Sequence, residues 1–133
     1  MMEQPPPLPP APSSQIAKPG MFSAIAIMTL ANGILNIIYG LSLTGAVVLG
    51  TLGIGLLCSP LTILPAVLGI FEIIYAAKLI SSPQKPVKPS MAIAILEICV
   101  VLWGNVISMV IGILNVVFLN DESVKAYFAR INS

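Results

Sequence analysis

Between Met21 and Leu119 the chain is almost unbroken apolar sequence, interrupted by one short polar segment, Ser81–Ser90 (SSPQKPVKPS). An apolar run of about 18 residues already reads as a transmembrane helix. Met21–Ile80 is about three such lengths, and Met91–Leu119 adds a further stretch of about 43 Å if drawn as one helix. The pattern therefore predicts an all-α, polytopic transmembrane helical bundle. A first crossing is expected near 21–43 and a second near 60–80. The glycine-rich, uncharged segment between them, Thr44–Ser59, reads as a bent extension of the first helix, a short helix at the outer interface, or a third crossing.

The second apolar stretch exceeds the hydrocarbon core of about 30 Å. A single tilted helix over 91–119 would accommodate that excess. Trp103-Gly104-Asn105 at its middle favours a hairpin instead, because Gly-Asn is turn chemistry and tryptophan favours the membrane–water interface. Crossings near 90–103 and 105–119 follow. Beyond Leu119, Val124, Tyr127, Phe128 and Ile131 recur at i, i+3, i+4 and i+7 behind a capping Asn120 or Asp121. Residues 120–133 thus read as an amphipathic helix lying on the interface, with Val124, Tyr127 and Phe128 on its apolar face.

Charge sets the expected orientation. The six basic residues fall in three places: Lys18, then Lys78, Lys85 and Lys88, then Lys125 and Arg130. Lysine and arginine mark the cytoplasmic side of short loops. All three groups share that side only if an even number of crossings separates them, which predicts two hairpins, four crossings and both termini in the cytoplasm. Residues 1–20 are proline-rich and lack the basic start of a signal peptide, so they read as a retained, disordered cytoplasmic tail. Its PxxP spacings, Pro6–Pro9 and Pro7–Pro10, fit either a passive spacer or a recognition segment.

Composition narrows the function. Charged residues make up 8% of the chain, against roughly 25% in soluble domains. A net charge of +1 gives no footprint for nucleic acid. Cys58 and Cys99, without any histidine, make no metal site and read as small buried hydrophobes. No cofactor is implied. Ser42 and Ser108 lack a nearby base, and no phosphate-binding loop precedes a helix, so the chain is expected not to be an enzyme.

Two polar residues stand out. Glu72 and Glu97 are each flanked by apolar sequence, and each lies about 12 Å along its helix from the lysine segment. Carboxylates inside a membrane are costly and point to function. Two at one depth would share a proton or hold a cation, which suits a minimal proton- or cation-coupled transporter. The structural alternative pairs them with polar residues on neighbouring helices, where Asn32, Asn36, Asn105, Asn115, Tyr39 and Tyr75 are available. The candidate intramembrane polar site is accordingly Glu72, Glu97, Asn36, Asn115 and Tyr75. The glycines Gly33, Gly40, Gly69, Gly104 and Gly112 read as points of close helix approach.

Internal similarity is visible as well. Lys18-Pro19-Gly20-Met21 and Lys88-Pro89-Ser90-Met91 each precede an Ala-Ile-Ala-Ile run. The heptads Gly33–Tyr39, Gly69–Tyr75 and Gly112–Phe118 share one pattern, and a duplication of this kind would be a parallel repeat. The ending Leu119–Phe128 (LNDESVKAYF), the stretch Ile63–Tyr75 and the lysine/proline loop before a compact final hairpin resemble a group of small bacterial membrane proteins. Those have four helices, proline-rich cytoplasmic tails and endings of the PEVKAYF type. The resemblance implies a bacterial inner-membrane location and the two-hairpin topology, and it carries over no catalytic residues. The expected partners are the lipid bilayer and either a membrane-protein partner or further copies of the chain. The function expected is that of a small, non-catalytic accessory or interaction subunit, with the transporter as the alternative.

Overall fold

The computed structural model describes residues 17–133; residues 1–16, with the PxxP spacings, lie outside the described residues. Five helices follow one another: α1 Gly20–Gly50, α2 Ile54–Ile80, α3 Met91–Trp103, α4 Val106–Leu119 and α5 Glu122–Ile131. The described chain is all-α, and α1 and α2 are each long and apolar enough to cross a membrane.

Each boundary has a local cause. The turn between α1 and α2 closes with Gly53 N–H donating to Val48 O (2.8 Å) and Leu52 N–H to Leu49 O (3.2 Å), the bond pair of a Schellman stop. That motif needs a left-handed residue, and here Leu52 takes it, with φ of 53°. The segment Thr44–Ser59 is thus divided: α1 runs on through Gly50, and α2 begins as a 3-10 turn over Ile54–Cys58. Pro60 and Pro65 each stand at the first positions of a fresh α-helical segment within α2, because neither has an N–H for the preceding turn.

The second apolar stretch is a hairpin of two helices. Ser90 Oγ caps α3 by accepting from Ile93 N–H (3.4 Å). The chain leaves α3 through Gly104 at φ 86°, a conformation for which glycine has no steric penalty. Asn105 Oδ1 then caps α4 by accepting from Ser108 N–H (3.1 Å). At 1.5 Å per residue α3 and α4 are about 20 Å long, whereas α1 reaches about 46 Å. The Trp103 turn therefore meets the longer hairpin partway along: Tyr39 Oη donates to the Trp103 carbonyl, and the indole N–H of half-buried Trp103 donates to Leu61 O (3.0 Å).

Packing follows small residues. α1 and α2 run antiparallel in close contact at Gly33–Gly69 and at Gly40–Ala66. α3 and α4 close on each other at Gly112, and α1 also touches α4. α5 departs from α4 at 74° and lies across the end of the bundle. Asp121 caps it, its carboxylate accepting from Ser123 N–H (2.9 Å); the Ser123 hydroxyl and backbone N–H hold that carboxyl below its ordinary value.

Two expectations are corrected here. The apolar face of α5 is covered by protein rather than offered to lipid: Val124, Tyr127 and Phe128 are buried against Phe22, Ile25, Leu79 and Val87. Phe22 makes ring contacts with Tyr127 (4.6 Å between centroids) and Phe128 (5.2 Å). An i, i+3, i+4, i+7 stripe says which face seeks cover but not what covers it. Cys58 and Cys99, in turn, are exposed. They lie on an exterior that is itself apolar, with Leu49, Leu52, Leu57 and Leu102 also exposed, so an apolar neighbourhood does not mean an interior position.

Candidate functional site

Within its otherwise apolar interior this bundle holds a set of buried polar side chains. Thr29, Asn32, Asn36, Glu72, Glu97, Asn105, Ser108 and Asn115 are all buried. They come from all four helices of the two hairpins and connect into one network.

Glu72 projects from α2 towards α1. Its Oε1 accepts from the amides of Asn32 (3.2 Å) and Asn36 (3.0 Å), and its Oε2 accepts from Asn36 (3.1 Å). The contact is close because Gly33 and Gly69 bring the two backbones together directly beneath it: a Cβ on Gly33 would stand 3.0 Å from Glu72 Cβ. Glu97 projects from α3 towards α4 and accepts from Asn115 through Oε2 (2.7 Å). Gly112 stands under that pair in the same way, 2.8 Å from Glu97 Cβ for an added Cβ.

The two hairpins are joined through α1 and α4. Ser108 Oγ accepts from Asn32 (3.0 Å) and Asn36 (3.3 Å) and donates to the Glu97 carbonyl (3.1 Å). Asn105 donates to Asn36 Oδ1 (2.8 Å), and Asn115 donates to Thr29 Oγ1 (3.1 Å). Buried groups of this kind have no water to satisfy them, so mutual pairing is what makes them tolerable.

Of the residues singled out in the sequence, Glu72, Glu97, Asn36 and Asn115 meet in this network. Tyr75 does not. Its hydroxyl accepts from Ser90 N–H (2.9 Å) at the lysine end of α2, because it lies about one turn beyond Glu72 towards that end. Trp103 sits at the tip of the second hairpin, and Val124, Tyr127 and Phe128 belong to the packing of α5. Thr29 and Ser108 are network members that sequence reasoning missed. Ser108 has a usable signal, since it lies three residues after a turn asparagine and shares a helix face with Asn115, seven positions on. The heptad pattern also has a fourth copy in α3, Ala94-Ile95-Leu96-Glu97-Ile98-Cys99-Val100, with alanine in place of glycine.

Among the described residues no group of three or more histidine, cysteine, aspartate or glutamate side chains is placed to hold a metal. Chemically the site offers carboxyl, amide and hydroxyl groups, closed from solvent: Glu72 and Glu97 are both 0% exposed. Comparison with protein families, curated proteins and solved structures finds no match for this chain.

Proposed function

We propose that the chain is a small multi-pass protein of a bacterial inner membrane, with two hairpins, four crossings and both ends cytoplasmic, acting as a non-catalytic accessory or interaction subunit. The observation that carries this reading is the inverted distribution of polarity. Side chains of Ile27, Ile38, Leu41, Leu57, Leu102 and Val117 are exposed, while the glutamates and asparagines are buried. Exposed apolar surface of this extent marks contact with lipid or with another protein. The polar network supports a structural role for Glu72, whose two oxygens both accept amide donors. The lysine-rich ends of both hairpins and the sequence resemblance support the cytoplasmic placement.

Single cysteines at Leu52 and Leu102, in a background with Cys58 and Cys99 replaced by alanine, test the topology. Both should react with an impermeant maleimide in intact cells, and a cysteine at Ser82 should react only after permeabilisation. Protection of the Leu102 position from outside would refute both crossings of the second hairpin. The accessory role predicts a stoichiometric partner chain after purification in mild detergent, with the mass of the complex read directly. A homo-oligomer of this chain alone would refute it and favour the second reading, a minimal proton- or cation-coupled carrier. One observation speaks for that second reading: Glu97 Oε1 lies buried without a hydrogen-bond partner.

A further inference from the structure

The network is short of hydrogen-bond donors at one place. Glu97 Oε1, Asn32 Oδ1 and Asn115 Oδ1 are all buried and all without a partner. Their residues are 0%, 0% and 2% exposed. The donors nearby are committed except for one, the hydroxyl of Thr29, which accepts from Asn115. Asn32 gives its amide to Glu72 and Ser108, Asn115 gives its amide to Thr29 and Glu97, and the Ser108 hydroxyl donates to the Glu97 carbonyl. Three buried acceptors with a single free hydroxyl to serve them is an arrangement that native structures avoid. Glu72 presents the contrast, with three amide contacts shared over both its oxygens.

We propose that Glu97 is a proton-binding site: it holds a proton on Oε1, and the resulting O–H is a donor for one of the two unpartnered amide oxygens, those of Asn32 and Asn115. Glu72 remains the carboxylate that the amides of Asn32 and Asn36 stabilise. A protonated carboxyl is a donor as well as an acceptor, and it removes one of two negative charges from an interior holding no buried lysine or arginine among the described residues. The titratable groups that face Glu97 are Glu72 and Tyr75, both from α2. From α1 it meets Asn32, and from α4 Ser108 and Asn115, all neutral. A proton suits this place better than a divalent metal ion, which takes about six or more oxygens, against the three unpartnered ones here. The proposal rests on the membrane placement above and requires no transport.

The test is infrared spectroscopy of the full chain, labelled with [13C]glutamate and reconstituted in lipid nanodiscs, for the wild type, E72Q and E97Q. The expected wild-type spectrum at neutral pH contains a protonated-carboxyl C=O band that moves down in D2O. That band should vanish in E97Q and survive in E72Q. Absence of the band from the wild type would overturn the proposal, as would its loss in E72Q with retention in E97Q. Disappearance on adding sodium or potassium at constant pH would also overturn it and make a metal cation the ligand. If E97Q does not fold, Asn115→Ala serves instead: removing the amide that donates to Glu97 Oε2, the carbonyl oxygen of the protonated group, should shift the band to higher wavenumber, and an unmoved band counts against the assignment. Failure of the membrane placement would show in the cysteine labelling, and failure of the proton site in the spectrum.

Discussion

Gly69→Ala is the most direct probe of how the first hairpin is held together. A Cβ at Gly69 would collide with the Gly33 carbonyl oxygen and stand 3.0 Å from the Ile37 nitrogen. Both are backbone atoms of α1, so no side chain can swing aside and the helices must separate. Overpacking of this kind costs about 1–3 kcal/mol. Separation also lengthens the Asn36–Glu72 contacts, now 3.0 and 3.1 Å, and such bonds contribute about 0.6 kcal/mol each on average in membrane proteins. Against this, alanine gains about 1 kcal/mol of helix propensity over glycine. The net expectation is a loss of about 1–3 kcal/mol. Gly45 is the control, because a Cβ there meets nothing within 4 Å and only the propensity gain of up to about 1 kcal/mol applies. The two variants should therefore differ by about 1–4 kcal/mol, with opposite signs relative to wild type. Unfolding of each purified protein in mild detergent, followed by circular dichroism as sodium dodecyl sulfate is titrated in, measures the difference. If Gly69→Ala is as stable as Gly45→Ala, the close approach does not determine stability and the reasoning fails.

Three other outcomes follow from the same geometry. Asn36→Leu should cost about 2–3 kcal/mol, since it strips donors from a buried carboxylate, and Asn115→Leu only about 1 kcal/mol, since a protonated Glu97 needs that donor less; the reverse order in the same titration would contradict the assignment of charge to Glu72. Leu52→Gly should stabilise the first hairpin by roughly 1 kcal/mol by relieving a left-handed leucine, and a lower unfolding midpoint would show that this turn carries no such strain. Val124→Asp puts a charge at a position that is 0% exposed and should release α5, so that trypsin cuts at Lys125 and Arg130 faster while α1–α4 stay intact; unchanged cleavage would mean that α5 is not held by that face.

Helix content was plain in the sequence, because long apolar runs with few charges leave little alternative to helices inside lipid. The hairpin turn at Gly104-Asn105 was legible for a local reason: a left-handed glycine followed by a capping asparagine is short-range chemistry. The end of α1 was not. No residue among Gly45–Gly50 compels a stop, and the helix ends where Leu52, without help from its own type, takes up the left-handed position. Cysteine exposure was misjudged for a related reason. In a bundle surrounded by lipid, interior and exterior are both apolar, so burial cannot be inferred from a residue's neighbours in sequence. Glu72, Glu97 and the asparagines were legible as a set because they are exceptions to that uniformity. Their pairing depends on helix rotation, which the sequence alone does not state, and Tyr75 fell on the wrong side of that line.

The heptads explain how so few polar residues find one another. In each of α1–α4 a small residue is followed three positions later by Asn or Glu: Gly33 and Asn36, Gly69 and Glu72, Ala94 and Glu97, Gly112 and Asn115. Side chains on a helix lean towards its own N-terminus. In an antiparallel pair the two polar side chains therefore lean towards each other, and they meet over the contact between the small residues. Close approach and hydrogen bond are thus one device, repeated as Asn36 with Glu72 in the first hairpin and Asn115 with Glu97 in the second. Each hairpin can supply its own glutamate with an asparagine amide before the two dock. Docking then adds the bonds from Asn32 and Asn36 on α1 to Ser108 on α4, and from Asn105 to Asn36. Lipid gives apolar faces little reason to prefer one another over acyl chains. The choice of partner and register in this bundle consequently falls to the small-residue contacts and the polar groups they bring together.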